Sequence, residues 1–228
     1  MSGAAVRQYI EEAIPFAPAP AAGIGAGRIR VARTLLTCGM AAQLLDELHV
    51  PEESDIVYRY VNVHNPRCPL RFDRDAQQWS CMPGLEEHPV WGINWAGARM
   101  LCEHLGGRLP LVHEWEAFAS NNEPARPYPW GSAAPSHLLA NYDEYVGGTT
   151  PVGSFPASEL GLYDLAGNLS EWCHDHHEVP GAPGLPCERA LKGGAWSKGA
   201  ELLRITATRG KWQRLGTTTI GIRPVWDD

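Results

Sequence analysis

No stretch of this 228-residue chain approaches the ~18 consecutive apolar residues of a membrane-spanning helix, and the opening "MSGAAVRQYIEEAIPFAPAPAAG" lacks the apolar core of a secretory signal. The expectation is a soluble, cytoplasmic protein without a membrane partner. Concentrated positive charge is also missing: Lys and Arg are scattered and the formal net charge is -7. That excludes a nucleic-acid backbone as the expected partner, because such binding draws on clustered cations. There is no CxxC pair among the six cysteines, so a zinc site of usual spacing is unsupported, and a chain this long has no need of disulfide staples. The thiols are read mostly as reduced. Neither a fixed-period repeat nor a low-complexity tract occurs.

What is present is a composition for many short elements. Hydrophobic residues make up 44%, enough for a sizeable core, while Gly 24 and Pro 19 favour shaped loops over a helical bundle. Residues 1–27 read as an N-terminal arm or linker, and residues 28–228 as one domain. The "GIGAG" string has neither a preceding strand pattern nor a following GK[ST], so a phosphate loop is not expected. "RIRVARTL" alternates like a half-buried strand. Thr37 is placed to cap a helix with Ala41, Leu44, Leu45 and Leu48 on one face. "VYRYVNV" and "PLRFD" read as short strands. A second helix carries Ala98, Leu101, Cys102 and Leu105 on one face and ends at Gly106-Gly107; a third starts near Pro110 and carries Trp115 and Phe118.

Five blocks, "HPVWGINWAGARMLCEHLGGRLPLVHEWEAFA", "YPWG", "PVGSFPASELGLYDLAGNLSEW", "LKGGAW" and "GIRPVWD", resemble the formylglycine-generating enzyme (sulfatase-modifying factor) superfamily in order and spacing. The match runs from about Arg28 to Asp228. The resemblance implies an α+β fold: an irregular, loop-rich relative of the C-type lectin fold with few helices and small antiparallel sheets. It also implies structural calcium. Mapped here, one site falls on Asp164 and Glu171 with the carbonyls of Gly167 and Leu169, and a second on Asn141 and Glu144 with the carbonyls of Tyr142 and Val146, where Asp143 is an alternative to Glu144. Calcium takes several oxygen ligands, and a Gly-containing bend aims carbonyls inward. The competing reading has Asp164 capping a turn and Glu171 paired with an arginine.

The family's enzymes oxidise a sulfatase cysteine with O2 and a copper(I) ion held by two thiolates, just after a "GGS" turn. The corresponding segment, "KGGAWSKGAELLRITATRG", contains no cysteine. Lys198 and Leu202 or Leu203 stand where sulfur is expected, and Ala195 replaces the turn serine. An ammonium has no lone pair to offer a soft cation. The formylglycine reaction by that route is therefore not expected. Elsewhere, "CHDHH" (Cys173 to His177) offers soft ligands, but alternation along a strand splits them between two faces, so a transition-metal site there competes with an ordinary polar strand.

Trp95, Trp115, Trp130 and Trp172 are assigned to the core, and Trp196, Trp212 and Trp226 to either core or pocket. A groove of Trp196, Lys198, Arg204 and Arg209 would suit an acidic or peptide ligand, since guanidinium forks match carboxylates; Arg204 and Arg209 are equally suited to structural ion pairs. Two functions stay open: an oxidative tailoring enzyme of a biosynthetic or protein-modification pathway acting on a small-molecule or peptide substrate, and a non-catalytic module binding a peptide, sugar or protein.

Overall fold

The computed structural model describes residues 3–18, 27–51, 60–177 and 188–228. Four helices and nine strands are present among them, all short. Helix α1 (Gly3–Glu11) leads into β1 (Ile14–Phe16), and β2 (Ile29–Val31) precedes α2 (Cys38–Glu47). Strands β3 (Leu70–Asp73) and β4 (Gln78–Cys81) form a hairpin, followed by α3 (Trp95–His104) and α4 (Val112–Ser120). After a long loop come β5 (Ser170–His176), β6 (Glu188–Lys192), a 3-10 turn at Ala200–Leu203, β7 (Arg209–Trp212), β8 (Ile220–Gly221) and β9 (Val225–Asp227).

The strands make three sheets: β1-β2-β9, the β3-β4 hairpin, and β7-β6-β5-β8, in which β5 and β8 run parallel and the other pairs antiparallel. Local chemistry sets the helix ends. The Thr37 side chain accepts from the Met40 amide at α2, and the Asn94 side chain accepts from the Gly97 amide at α3, each satisfying a donor the helix itself leaves open. At α4 the Glu114 carboxylate accepts from the Leu111 amide (2.8 Å) and Asp175 from the Val112 amide (2.8 Å), which ties β5 to the start of that helix. Helix α3 stops where the sequence turns to Gly106, whose φ of 73° is a conformation glycine adopts without strain.

The apolar faces expected for α2, α3 and α4 are the buried ones, Leu48 being only partly buried. They pack into two large clusters. One gathers α1, α2 and α3 around Trp95, Trp172 and Trp226; the other joins α4 to the sheets through Trp115, Phe118, Cys173 and Val225.

In residues 3–18, read from the sequence as part of an arm or linker, Tyr9 and Phe16 are buried and β1 pairs with β2 in register Ile14 to Val31, because α1 and β1 each carry an apolar face that the Pro/Ala composition obscured. Of the two places left open for Trp226, core or pocket, it takes the core: it is 3% exposed and its indole donates to the Leu105 carbonyl at 2.9 Å. Most of the "GIGAG" string, the first residues of "VYRYVNV" and Cys187 lie outside the described residues. Among the described residues no helix is long and apolar enough to cross a membrane.

Candidate functional site

Three loops meet at one end of the β7-β6-β5-β8 sheet: residues 141–150, the 164–169 bend, and the Gly193–Lys198 turn. Backbone hydrogen bonds knit them. Gly167 donates to Gly193, Asn168 to Asn141, Trp196 to Asn168, Glu144 to Trp196 and Asp143 to Lys198, all at 2.7–2.9 Å. Asn168, at φ 56°, binds Thr150 through both ends of its amide at 3.1 Å. Gly167 is required for space as well as for its φ of 80°, since a Cβ there would run into the Asn141 backbone.

The two carboxylates that bracket this bend have different work. Glu171, fully buried, receives the Arg223 guanidinium through Nε (3.0 and 3.1 Å) and Nη2 (2.8 Å), and also the Trp115 indole N–H at 2.7 Å. Arg223, equally buried, donates to the Ala32 carbonyl (2.8 Å) and the Tyr163 carbonyl (2.7 Å). One guanidinium thus holds β5, the 164–169 bend and the β2 segment together. Glu171 thus pairs with an arginine, as the ion-pair reading has it, and its oxygens are taken up by Arg223 and Trp115. Asp164, at φ 55°, accepts from the Gly153 amide at 2.7 Å and faces the Asn168 amide at 3.5 Å. Burial raises its carboxyl above the ordinary carboxylate value. Leu169 is a core residue.

The second set is different. Asn141 is 1% exposed, its side-chain N–H donates to the Gly148 carbonyl (2.8 Å), and its Oδ1 has no hydrogen-bond partner. An orphaned buried acceptor is costly, and an oxygen of this kind suits a calcium ion. Tyr142, Glu144 and Val146 follow it in a tight loop, with Asp143 and Glu144 both at φ 57° and both exposed. Asn141 with this loop therefore fits a hard cation. Among the described residues, no group of three His, Cys, Asp or Glu is arranged to hold a metal.

Where the family's thiolates are expected, Leu203 is fully buried against Ala140, Tyr142 and Ala166, and Lys198 is half-buried. Of the two leucines offered for the second sulfur, Leu203 is core and Leu202 is partly buried. Of the expected groove, Trp196 and Lys198 come together with the 143–144 loop, the Trp196 indole donating to the Thr218 carbonyl at 3.2 Å. Arg204 instead lies over the Tyr128 ring, 5.3 Å from its centre, and Arg209 sits exposed on β7 opposite Leu191. In "CHDHH", Cys173 is core, while His174 and His176 are exposed on the strand. Trp212 is 54% exposed.

Sequence reasoning passed over two features. One is Lys192 at the end of β6: its buried ammonium contacts the Glu116 carboxylate (2.7 Å) and the Thr208 hydroxyl (3.0 Å), and desolvation lowers its pKa against the pull of Glu116. The other is an exposed apolar patch beside the Asn141 loop, where Leu138 is 83%, Tyr145 70% and Val146 50% exposed. The His137 ring is stacked 4.0 Å from Tyr145 and 4.6 Å from Tyr142. A lysine ending an apolar strand, and a Leu-Leu pair in a turn-rich tract, were the available signals.

Comparison with known proteins agrees with this architecture. Residues 45–228 match the family described as sulfatase-modifying factor enzyme 1-like domain. The serine/threonine-protein kinase pkn1 of Chlamydia pneumoniae is 36% identical over 146 residues, 59% of this chain and 23% of the kinase. The formylglycine-generating enzyme of Mus musculus is 32% identical over 131 residues, 48% of this chain and 35% of that enzyme. The chain thus aligns with only about a quarter to a third of the length of these relatives. In structure it is similar to CarF, with a TM-score of 0.67, 18% identity, and coverage of 95% of this chain and 97% of CarF. With its α+β arrangement of short helices and small sheets and a family match across most of its length, the chain belongs to the sulfatase-modifying factor (formylglycine-generating enzyme-like) family.

Proposed function

We propose that the chain is a tailoring enzyme of a biosynthetic or protein-modification pathway that works without a thiolate copper site and takes a peptide or small-molecule substrate at the three-loop end of the domain. The observation that carries this reading is a run of exposed apolar side chains, Tyr145 and Val146, directly after Asp143 and Glu144, whose amides bond the Trp196–Lys198 turn, with Leu138 exposed at the start of the same tract. Exposed apolar groups gathered together mark binding surfaces. Lys198 sets a positive charge at its edge, suited to a carboxylate on the ligand.

Catalysis rather than binding alone is favoured by Lys192. A buried lysine with lowered pKa, held between a carboxylate and a hydroxyl at the root of the same turn, is the kind of perturbed group that acid–base chemistry uses. Glu116 is 37% exposed, so protons have a route to solvent through it. In this reading Trp196 and the neighbouring loop orient the substrate, and Lys192 and Glu116, hydrogen-bonded to each other, hold a proton at the root of the turn. Calcium bound by Asn141 and its loop would contribute fixed positive charge that holds the patch-bearing loop in shape.

A non-catalytic binding module is the second reading, favoured by the burial of Leu203 in place of a metal ligand. O2 uptake and mass spectrometry with a panel of peptides and small metabolites separate the two. Oxygen consumption with a matching mass change, abolished by Lys192→Met in a protein that still binds, supports the enzyme. Binding with no uptake and no product across the panel supports the module.

A further inference from the structure

A chain of net charge -7 gathers several of its cations around one indole ring. The Arg189 guanidinium lies 3.7 Å from the centre of Trp95, and Arg99 lies 5.6 Å from the same centre. The His174 ring is 5.7 Å away. Lys211 stands directly across the β6-β7 pair from Arg189. Like charges opposed across a strand pair cost stability, and part of that cost is offset by the cation–π contact. Arg99 also raises the difficulty of keeping Arg189 charged: burial first, then the Arg99 charge, lower its pKa.

Two of the three nitrogens of the Arg189 guanidinium have partners in the protein, and its Nη2 has none among the described residues. Its Nε donates to Gln213 Oε1 at 3.1 Å and its Nη1 to the His174 carbonyl at 2.8 Å. Both acceptors are neutral. Among the described residues no carboxylate lies within ion-pair distance of Arg189, and Asp175 acts on it only at longer range, with one carboxylate oxygen taken by the Val112 amide. Arg99 has Glu103 one helical turn on, at 3.7 Å, both side chains about half exposed; such a pair is weak and easily exchanged. Two guanidinium groups, carried by α3 and β6, thus lie beside one tryptophan, Arg99 exposed and Arg189 half-buried with its Nη2 left without a partner among the described residues.

We propose that Arg189 and Arg99, with Lys211 and His174 beside them, form a site for a phosphate-type oxyanion. Guanidinium N–H groups match tetrahedral oxyanions, and two arginines with a lysine beside them suit a dianion better than a single carboxylate. The group could be carried by a small phosphomonoester or by a phosphorylated segment of a protein; the recognition chemistry is the same. The site does not depend on the reading of the three-loop end.

The test titrates the full chain with inorganic phosphate, and separately with a phosphoserine peptide and its unphosphorylated form, at ionic strength fixed with sodium chloride. Binding is read by calorimetry and tryptophan fluorescence. Saturable binding of phosphate or of the phosphopeptide is expected, weakened at least about tenfold by Arg189→Gln, with Tm unchanged. Should Arg189→Gln prove unstable, the exposed Arg99→Gln carries the same expectation. Phosphate bound as tightly as the phosphopeptide identifies a small phosphomonoester as the source, and a phosphopeptide bound more tightly identifies a protein segment. Absence of saturable binding of both probes, or equal binding by a folded Arg189→Gln or Arg99→Gln variant, overturns the proposal.

Discussion

Arg223 and Glu171 are the residues on which the end of the sheet depends. Both are fully buried, so removing the guanidinium alone leaves a carboxylate stranded in the core. For Arg223→Met the expected loss is about 3–5 kcal/mol in urea unfolding, and adding Glu171→Gln should recover part of it, since an unpaired buried charge costs more than its absence. A single-variant loss below about 1 kcal/mol would place the stability of the three loops elsewhere. The orphaned Asn141 oxygen makes a second expectation at this scale. Calcium should raise the Tm of the chain, and Asn141→Ala should abolish the increase; an equal increase in the variant would remove Asn141 from any cation site. Neither Arg223 nor the orphaned oxygen was legible beforehand. "GIRPVW" shows an arginine inside an apolar run, but which acid it meets depends on the parallel pairing of β5 with β8, which no local pattern encodes.

Among the elements, helices were the most readable. Thr37 and the Gly106 stop act within a turn of sequence and were read there; the Asn94 cap, which was passed over, also acts within one turn. Thr37→Ala should cost about 1 kcal/mol by loss of the bond to the Met40 amide, measured by chemical denaturation. The first strand was hidden because Pro15 interrupts "IPF", and the pairing of β1 with β2 is only three residues long. At the last strand, β9, Asp227 meets Arg108 at 2.6 Å, and that hydrogen bond holds its carboxyl below the ordinary value of 3.8. A depressed carboxyl contributes stability that is present above its unfolded pKa and lost as pH falls through the folded one. Between pH 4 and the acid limit, Asp227→Asn should therefore lose less stability than the parent; parallel curves would show that the pair contributes nothing.

For the whole molecule, the family fold persists around a segment, Lys192 to Gly210, that holds no cysteine. The five sequence blocks made the family and the α+β fold legible, because each block contributes a cap, a turn or a buried tryptophan that the fold uses. The site was legible only in part. Lys198 and the absent sulfurs could be read directly, whereas the contact of Arg204 with Tyr128, the burial of Leu203 and the assembly of Trp95, Arg99 and Arg189 arise from contacts between distant segments. The account turns on one substitution of chemistry: a soft-metal position filled by an ammonium group and a core leucine. It is tested most directly by mass spectrometry of a sulfatase-derived cysteine peptide incubated with the copper-loaded chain under O2. The expected result is an unchanged cysteine; a formylglycine aldehyde formed at stoichiometric copper would contradict it.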